Sequence, residues 1–135
     1  MNRALVAQKL LQIGQCLNEL QPLCRLTYRA FAAEPAHFRV AERDVQLIVD
    51  SAVAVNNELI VSAGRTPPST YYETFEALRI LPAALARRLA RTTGLRNRIV
   101  HQYESVDLRV LHKAIRGFVA AYTSYVRTIR RRTGV

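Results

Sequence analysis

The sequence predicts an all-α protein, an antiparallel bundle of four long helices and one short helix. Apolar residues recur at gaps of three and four over long stretches, which is the periodicity of helices that bury one face. No stretch alternates apolar and polar residues as a half-buried strand does. A length of 135 residues suits one hydrophobic core, so residues 1–135 are expected to form a single helical domain.

The first apolar seam predicts a helix that begins near the N-terminus. Pro22 interrupts it, and its ring is expected to kink the helix near residues 18–22. The pair Glu34-Pro35 is expected to close the helix, because the residue before a proline disfavours helical dihedral angles. The seam positions are Val6, Leu10, Ile13, Leu17, Leu20, Cys24, Thr27 and Phe31.

The middle of the chain predicts a long helix, a loop and a short helix. The long helix spans roughly residues 40–61, and a Gly- and Pro-containing loop follows over residues 62–69. Ser69 or Thr70 is then expected to cap a short helix that continues through Leu78.

Two more long helices are predicted in the C-terminal half. Pro82 suits the first turn of a helix whose pattern continues to about His101. Asp107 is a good N-cap for the last helix, which ends in three consecutive arginines, cations that favour a helix C-terminus. Its seam positions are Leu108, Leu111, Ile115, Phe118, Tyr122, Tyr125 and Ile129.

Cysteine usage and hydropathy predict a cytoplasmic protein. Cys16 and Cys24 lie eight residues apart in one helical pattern, about 12 Å along the axis, which is too far for a disulfide. We expect both to be free, inert thiols. No apolar run approaches the roughly 20 residues that span a bilayer, and the N-terminus lacks a signal-peptide core, so no membrane partner is expected.

Charge is distributed unevenly along the chain. Residues 1–78 hold seven basic and eight acidic side chains, whereas residues 79–135 hold thirteen basic and two acidic ones. A coding bias raises arginine throughout a chain, but it does not remove acids from one half. The C-terminal half therefore predicts an acidic partner: nucleic acid, a nucleotide or an acidic protein.

One segment, residues 94–103, combines arginine, histidine and tyrosine at the end of a predicted helix. Arg96 and His101 are five residues apart, so on one helix their side chains point about 140° away from each other. Convergence would need the helix to end near His101, or a second copy brought in by a two-fold axis. A symmetric dimer with this segment at its interface would place two arginines and two histidines across one cleft.

Such a cleft suits cleavage at a phosphate. An imidazole can accept a proton from a 2′-hydroxyl or donate one to the leaving oxygen, and a guanidinium can stabilise the phosphate charge. No acidic cluster lies near the motif to hold a metal ion, so we expect RNA cleavage without metal or cofactor. Short patterns of this kind also arise by chance. His101 could then be a structural hydrogen-bonding residue, and Tyr103 a packing residue at a helix corner.

The chain resembles the HepT-like toxins of the HEPN superfamily, whose hallmark is an R-x4-H-x-Y motif, read here at Arg96, His101 and Tyr103. The blocks 41–46 (AERDVQ), 67–68 (PP) followed by 72–75 (YETF), and 94–97 (GLRN) also match, in order, over roughly residues 3–125. Leu95 departs from the phenylalanine that many relatives carry at that position.

This resemblance implies a helical homodimer with a composite cleft at its interface, acting as an RNase toxin in a toxin–antitoxin pair. It implies that Arg96 and His101 are the catalytic pair and that Asn97 supports Arg96. The antitoxin would be a minimal nucleotidyltransferase of the MntA type, which transfers AMP to the motif tyrosine, here Tyr103. The toxin would thereby be silenced.

Three arginines near the motif are candidate RNA contacts. These are Arg88, Arg91 and Arg98. For each of them, a position on a solvent-exposed helix face without any RNA contact is an equally good interpretation. A non-catalytic alternative is a nucleotide- or partner-binding subunit of a nucleotidyltransferase pair, using the same basic cleft. The titratable imidazole of His101 favours the nuclease, because a binding subunit has less need of it.

Overall fold

The computed structural model describes residues 1–101 and 107–135. These residues form six α-helices, four long and two short, and no strand. The helices are α1 (Arg3–Leu23), α2 (Tyr28–Ala33), α3 (Pro35–Ser62), α4 (Tyr71–Ala77), α5 (Ala83–His101) and α6 (Leu108–Thr133). The all-α class is confirmed, and the described part of the chain has one short helix more than predicted.

The additional helix arises because the first predicted helix is two helices. α1 ends at Leu23, with Pro22 in its last turn, so the prediction of a kink within one continuous helix was wrong. Thr27 begins α2, and its Oγ1 accepts a hydrogen bond from the Ala30 amide at 3.2 Å. The proline weakens the end of α1, and the threonine caps a new start a few residues later.

The remaining helix ends follow the cap chemistry of the sequence. Pro35 is the first residue of α3, which therefore begins before the predicted start near Val40. Thr70 caps α4 by accepting a hydrogen bond from the Glu73 amide, and Asp107 caps α6 by accepting one from the Arg109 amide. The caps predicted at Thr70 and Asp107 are confirmed.

α1 runs antiparallel to the two long helices on which it packs, α3 and α6. The Asn2 amide, at the start of α1, donates to Glu58 near the end of α3, and farther along the pair Ser51 Oγ donates to Gln12 at 3.0 Å. Arg3 donates to the carbonyl oxygen of Thr133 at the far end of α6. α1 therefore runs against both α3 and α6, and the predicted antiparallel arrangement is confirmed for these pairs.

Two buried tyrosines of α6 fix the position of α5 against α3. The Tyr125 hydroxyl donates to Asn56 Oδ1 on α3 at 2.6 Å, and the Tyr122 hydroxyl lies 2.7 Å from Thr92 Oγ1 on α5. Both rings are fully buried, and burial raises the pKa of both hydroxyls, so they remain neutral. These hydrogen bonds anchor Thr92, one turn before Arg96, to α6 and through α6 to α3.

α3 is the one helix in the described part of the chain with the length and mean hydropathy of a membrane span. The charged residue Asp50 lies within its apolar sequence. In its most apolar 18-residue stretch, 56% is buried inside the bundle, as in the central helix of a packed core. Cys16 and Cys24 are free as predicted, and burial raises the pKa of the Cys16 thiol to about 12.

Candidate functional site

α5 carries the arginine and the histidine of the motif. Arg96 is half-buried one and a half turns before the end of the helix, and His101 is its exposed last residue. Tyr103, which we predicted to be the AMP acceptor, lies outside the described residues. The described part of the site is therefore the last two turns of α5 and the elements packed against them.

The Arg96 guanidinium is held from two other helices. Its Nε donates to Asp50 Oδ1 of α3 at 2.9 Å, the one ion pair among residues 1–101 and 107–135. Its central carbon lies 4.7 Å from the ring centroid of Tyr71, the first residue of α4. Nη1 also donates to the side-chain oxygen of the adjacent Asn97 at 3.3 Å. These contacts fix both the plane and the direction of the guanidinium.

This arrangement suits Arg96 to bind an anion. Its side chain is only 15% exposed, and a charge so shielded is costly without a partner such as Asp50. A guanidinium has five N–H donors, and the contacts within the described residues use two of them. The other donors suit the paired oxygens of a phosphate. Burial and the Asp50 carboxylate raise the pKa of Tyr71, so a neutral ring lies beside the cation.

Asp50 and Tyr71 were not predicted as site residues. Asp50 is a carboxylate inside the apolar stretch LIVDSAVAV, and a charge in such a stretch indicates a partner. That signal was present in the sequence, but its partner is 46 positions away on another helix. Tyr71 gave no signal of its own, because a tyrosine at a helix start is a common packing residue.

His101 differs from the other two histidines in its surroundings. His37 Nδ1 lies 3.1 Å from the Ala30 carbonyl oxygen, and His112 Nε2 lies 2.7 Å from that of Leu26. His112 also packs on the Tyr28 ring, with centroids 5.8 Å apart. The imidazole of His37 thus joins α3 to α2, and that of His112 joins α6 to the loop before α2. His101, in contrast, is exposed at the end of α5, where a ligand can reach it.

α5 continues without interruption through His101. The five-residue step from Arg96 therefore carries the side chain about 140° around the axis and about 7.5 Å along it. Within one copy, the described geometry places Arg96 toward α3 and α4 and His101 on another face of α5. The exposed Val100 lies directly before His101, so an apolar side chain accompanies the imidazole on the surface.

The other predicted site residues in the described part of the chain are Asn97, Arg88, Arg91 and Arg98, and all four are exposed on α5. Asn97 is exposed and contacts Arg96, as its proposed supporting role requires. Arg88 and Arg91 are exposed on α5 and line an open groove against α6. Arg98 is exposed three residues before His101, on a neighbouring face of the helix. Across the described ranges, no group of three or more His, Cys, Asp or Glu side chains is placed to hold a metal ion.

Sequence comparison finds two matches. A family model described as "Ribonuclease HepT-like" matches residues 13–129. A protein named tRNA nuclease HepT, from Aphanizomenon flos-aquae, is 29% identical over 128 residues, which cover 93% of this chain and 87% of that protein. The family match thus includes α3, α4, α5 and most of α6, the helices that build the site.

Comparison with solved structures finds the same arrangement of helices elsewhere. A tri-AMPylated HEPN toxin from Shewanella oneidensis, in complex with an MNT antitoxin, superposes with a TM-score of 0.85 at 17% identity, over 97% of this chain and 99% of that one. A cytosolic protein of unknown function from Bacillus subtilis gives 0.80 at 17% identity, over 98% and 90% of the two chains. At such identities these likenesses establish a shared fold.

Proposed function

The chain belongs to the family of HepT-like ribonucleases, and from that premise we propose that it is a metal-independent endoribonuclease and the toxin of a toxin–antitoxin pair. The observation that carries the proposal is the fixed Arg96 guanidinium with His101 on the same helix end. We further propose that residues 1–135 form one domain, that it acts in the cytoplasm and that it needs no cofactor.

In the proposed reaction, a ribose 2′-oxygen attacks the adjacent phosphorus and the bond from phosphorus to the 5′-oxygen breaks. Arg96 binds the phosphate oxygens and stabilises the negative charge that grows on them, because its direction is set before substrate binds. The imidazole of His101 accepts the 2′-hydroxyl proton or donates a proton to the leaving 5′-oxygen. Every group in this step comes from the protein or the RNA.

We propose that the reacting centre is composite and lies at the interface of a homodimer. The 140° offset between Arg96 and His101 on one uninterrupted helix supports this, because a single copy presents them on different faces. A two-fold axis close to the end of α5 would bring His101 of one copy toward Arg96 of the other. The exposed Val100 beside His101 would contribute apolar area to such an interface.

We propose that a nucleotidyltransferase antitoxin of the MntA type silences the enzyme by modifying Tyr103. The tyrosine oxygen would attack the α-phosphorus of ATP, forming a phosphodiester to AMP and releasing pyrophosphate. Support comes from the structural neighbour described as a tri-AMPylated HEPN toxin in complex with an MNT antitoxin. A bulky anion two residues from His101 would compete with an RNA phosphate for the same cations.

The proposal is tested by measuring RNA cleavage before and after treatment with a cognate nucleotidyltransferase and ATP. The unmodified chain is expected to cut total cellular RNA in EDTA and to lose that activity as its mass increases by AMP. Tyr103→Phe is expected to cut RNA, to gain no mass and to resist silencing. Failure of the chain to cut RNA while its intact mass shows no modification would instead favour the non-catalytic binding subunit.

A further inference from the structure

An open groove runs between α5 and α6. One part, of about 260 Å³, is lined by Arg88 and Arg91 and by the apolar side chains of Leu95 and Phe118. The adjoining part, of about 380 Å³, shares Arg88 and is lined on α6 by Arg127 and Arg131. The two parts adjoin at Arg88 and together have four guanidinium groups along them, and we refer to them jointly as the α5–α6 groove.

Within the part of the chain that the structure describes, no acidic side chain pairs with the arginines of this groove. Neither α5 nor α6 contains an aspartate or a glutamate. Among the described residues the one ion pair is that of Arg96 with Asp50, so no carboxylate of residues 1–101 or 107–135 neutralises the four groove arginines. Because two adjacent helices carry arginines and no acidic residues, the electrostatic potential between them is positive and attracts a polyanion.

We propose that this α5–α6 groove binds the sugar–phosphate backbone of the RNA that the site cuts, an inference that rests on the proposed function. From Ala114 to Arg131 the groove is about 25 Å long at the helical rise, enough for several successive nucleotides. Its cations recur along both walls, which matches a backbone that carries one charge per nucleotide. Ser124 adds a hydroxyl to the lining, and hydroxyls commonly contact phosphate and sugar.

The groove also leads toward the reacting residues. Arg98 lies seven residues beyond Arg91, which returns it to within about 20° of the same face of α5. His101 follows three residues later, about 60° farther around the helix. A strand lying along Arg88 and Arg91 would therefore continue past Arg98 to the end of α5. From Arg88 to His101 the direction changes by about 140° in all, so the strand would leave the groove near Arg91 and wind around the end of α5 to reach the imidazole.

The decisive experiment compares two double charge reversals in an uncuttable background. His101→Ala supplies that background, and fluorescence anisotropy with a labelled single-stranded RNA in EDTA gives the Kd over a range of salt concentrations. The groove variant is R88E/R127E. The control variant is R29E/R79E, which changes the net charge equally at exposed arginines on α2 and just after α4. Thermal melting of each variant confirms that it is folded.

The groove variant is expected to bind RNA at least tenfold more weakly, and its slope of log Kd against log salt should be shallower by about 1.4 for two lost phosphate contacts. The control is expected to keep the parent slope. Equal weakening of both variants would overturn the proposal in favour of unspecific charge attraction. Unchanged RNA binding by R88E/R127E, with loss of binding to a nucleotidyltransferase, would overturn it in favour of a protein-binding groove.

Binding in this assay does not depend on cleavage. If the unmodified parent chain fails to cut RNA, the proposed nuclease function fails, whereas RNA binding that depends on Arg88 and Arg127 would still support the groove. If the parent cuts RNA and the groove variant binds and cuts it equally well, the groove proposal alone fails. The two proposals are thus tested by separate readouts.

Discussion

Replacement of His101 by alanine is expected to lower the rate of RNA cleavage by about 10²- to 10⁴-fold, the usual contribution of a general acid or base. The folded chain should be unaffected, because His101 is exposed at the last position of α5. Cleavage of a defined RNA is measured in EDTA at several enzyme concentrations, together with thermal melting. The parent is expected to cut under the same conditions.

His112 provides a matched control within the same chain. His112→Ala removes the contact to the Leu26 carbonyl and the packing on Tyr28, so it should destabilise the fold by about 1–2 kcal/mol. Below its melting temperature this variant should cleave RNA at the parent rate. The two variants thus separate catalysis from stability. Full activity of His101→Ala, or an equal loss of activity in both variants, would contradict the assignment of His101.

Replacement of Arg96 by alanine is expected to reduce cleavage by about 10²- to 10³-fold, as does loss of a fixed donor to a developing anion. Arg96→Lys should restore little of this activity, because an ammonium cannot donate to Asp50 and bind two phosphate oxygens in one planar arrangement. Single-turnover rates at saturating RNA report the chemical step, and the Kd reports ground-state binding. The loss should be found mainly in the rate.

Asp50 is expected to act through Arg96. Asp50→Asn keeps the shape of the side chain but removes the charge that directs the guanidinium, and we expect about tenfold slower cleavage from the misplaced donor. In an Arg96→Ala background, Asp50→Asn should not lower the rate any further. If Asp50 had only a structural role, the change would lower the rate in that background too. Additive losses in the double variant would show that Asp50 acts independently of Arg96.

Most of the fold could be predicted from the sequence because it follows local signals. The caps at Thr70 and Asp107 each depend on residues within one helical turn. The break between α1 and α2 was missed because the apolar spacing continues across it. Pro22 and Thr27 together outweigh that spacing, and their combined effect depends on how the chain packs after α1.

The site was only partly predictable, for a different physical reason. Arg96 and His101 are close in sequence, and the motif indicates them directly. Asp50 and Tyr71 reach Arg96 only through the packing of α3 and α4 on α5, which no local pattern encodes. The groove is similar: the absence of acids from both α5 and α6 is visible in the sequence, but Arg127 and Arg131 join Arg88 only when the two helices pack together.

The central claim, a composite site shared by two copies, is tested most directly with a mixed dimer. A chain with Arg96→Ala and a chain with His101→Ala, each carrying a different purification tag, are co-expressed, and the heterodimer is isolated and verified by native mass spectrometry. If Arg96 of one copy works with His101 of the other, the heterodimer contains one intact site and should cut RNA at about half the parent rate, although each homodimer is inactive. A heterodimer as inactive as the two homodimers would contradict the composite site, and so would a fully active parent chain that sediments as a monomer.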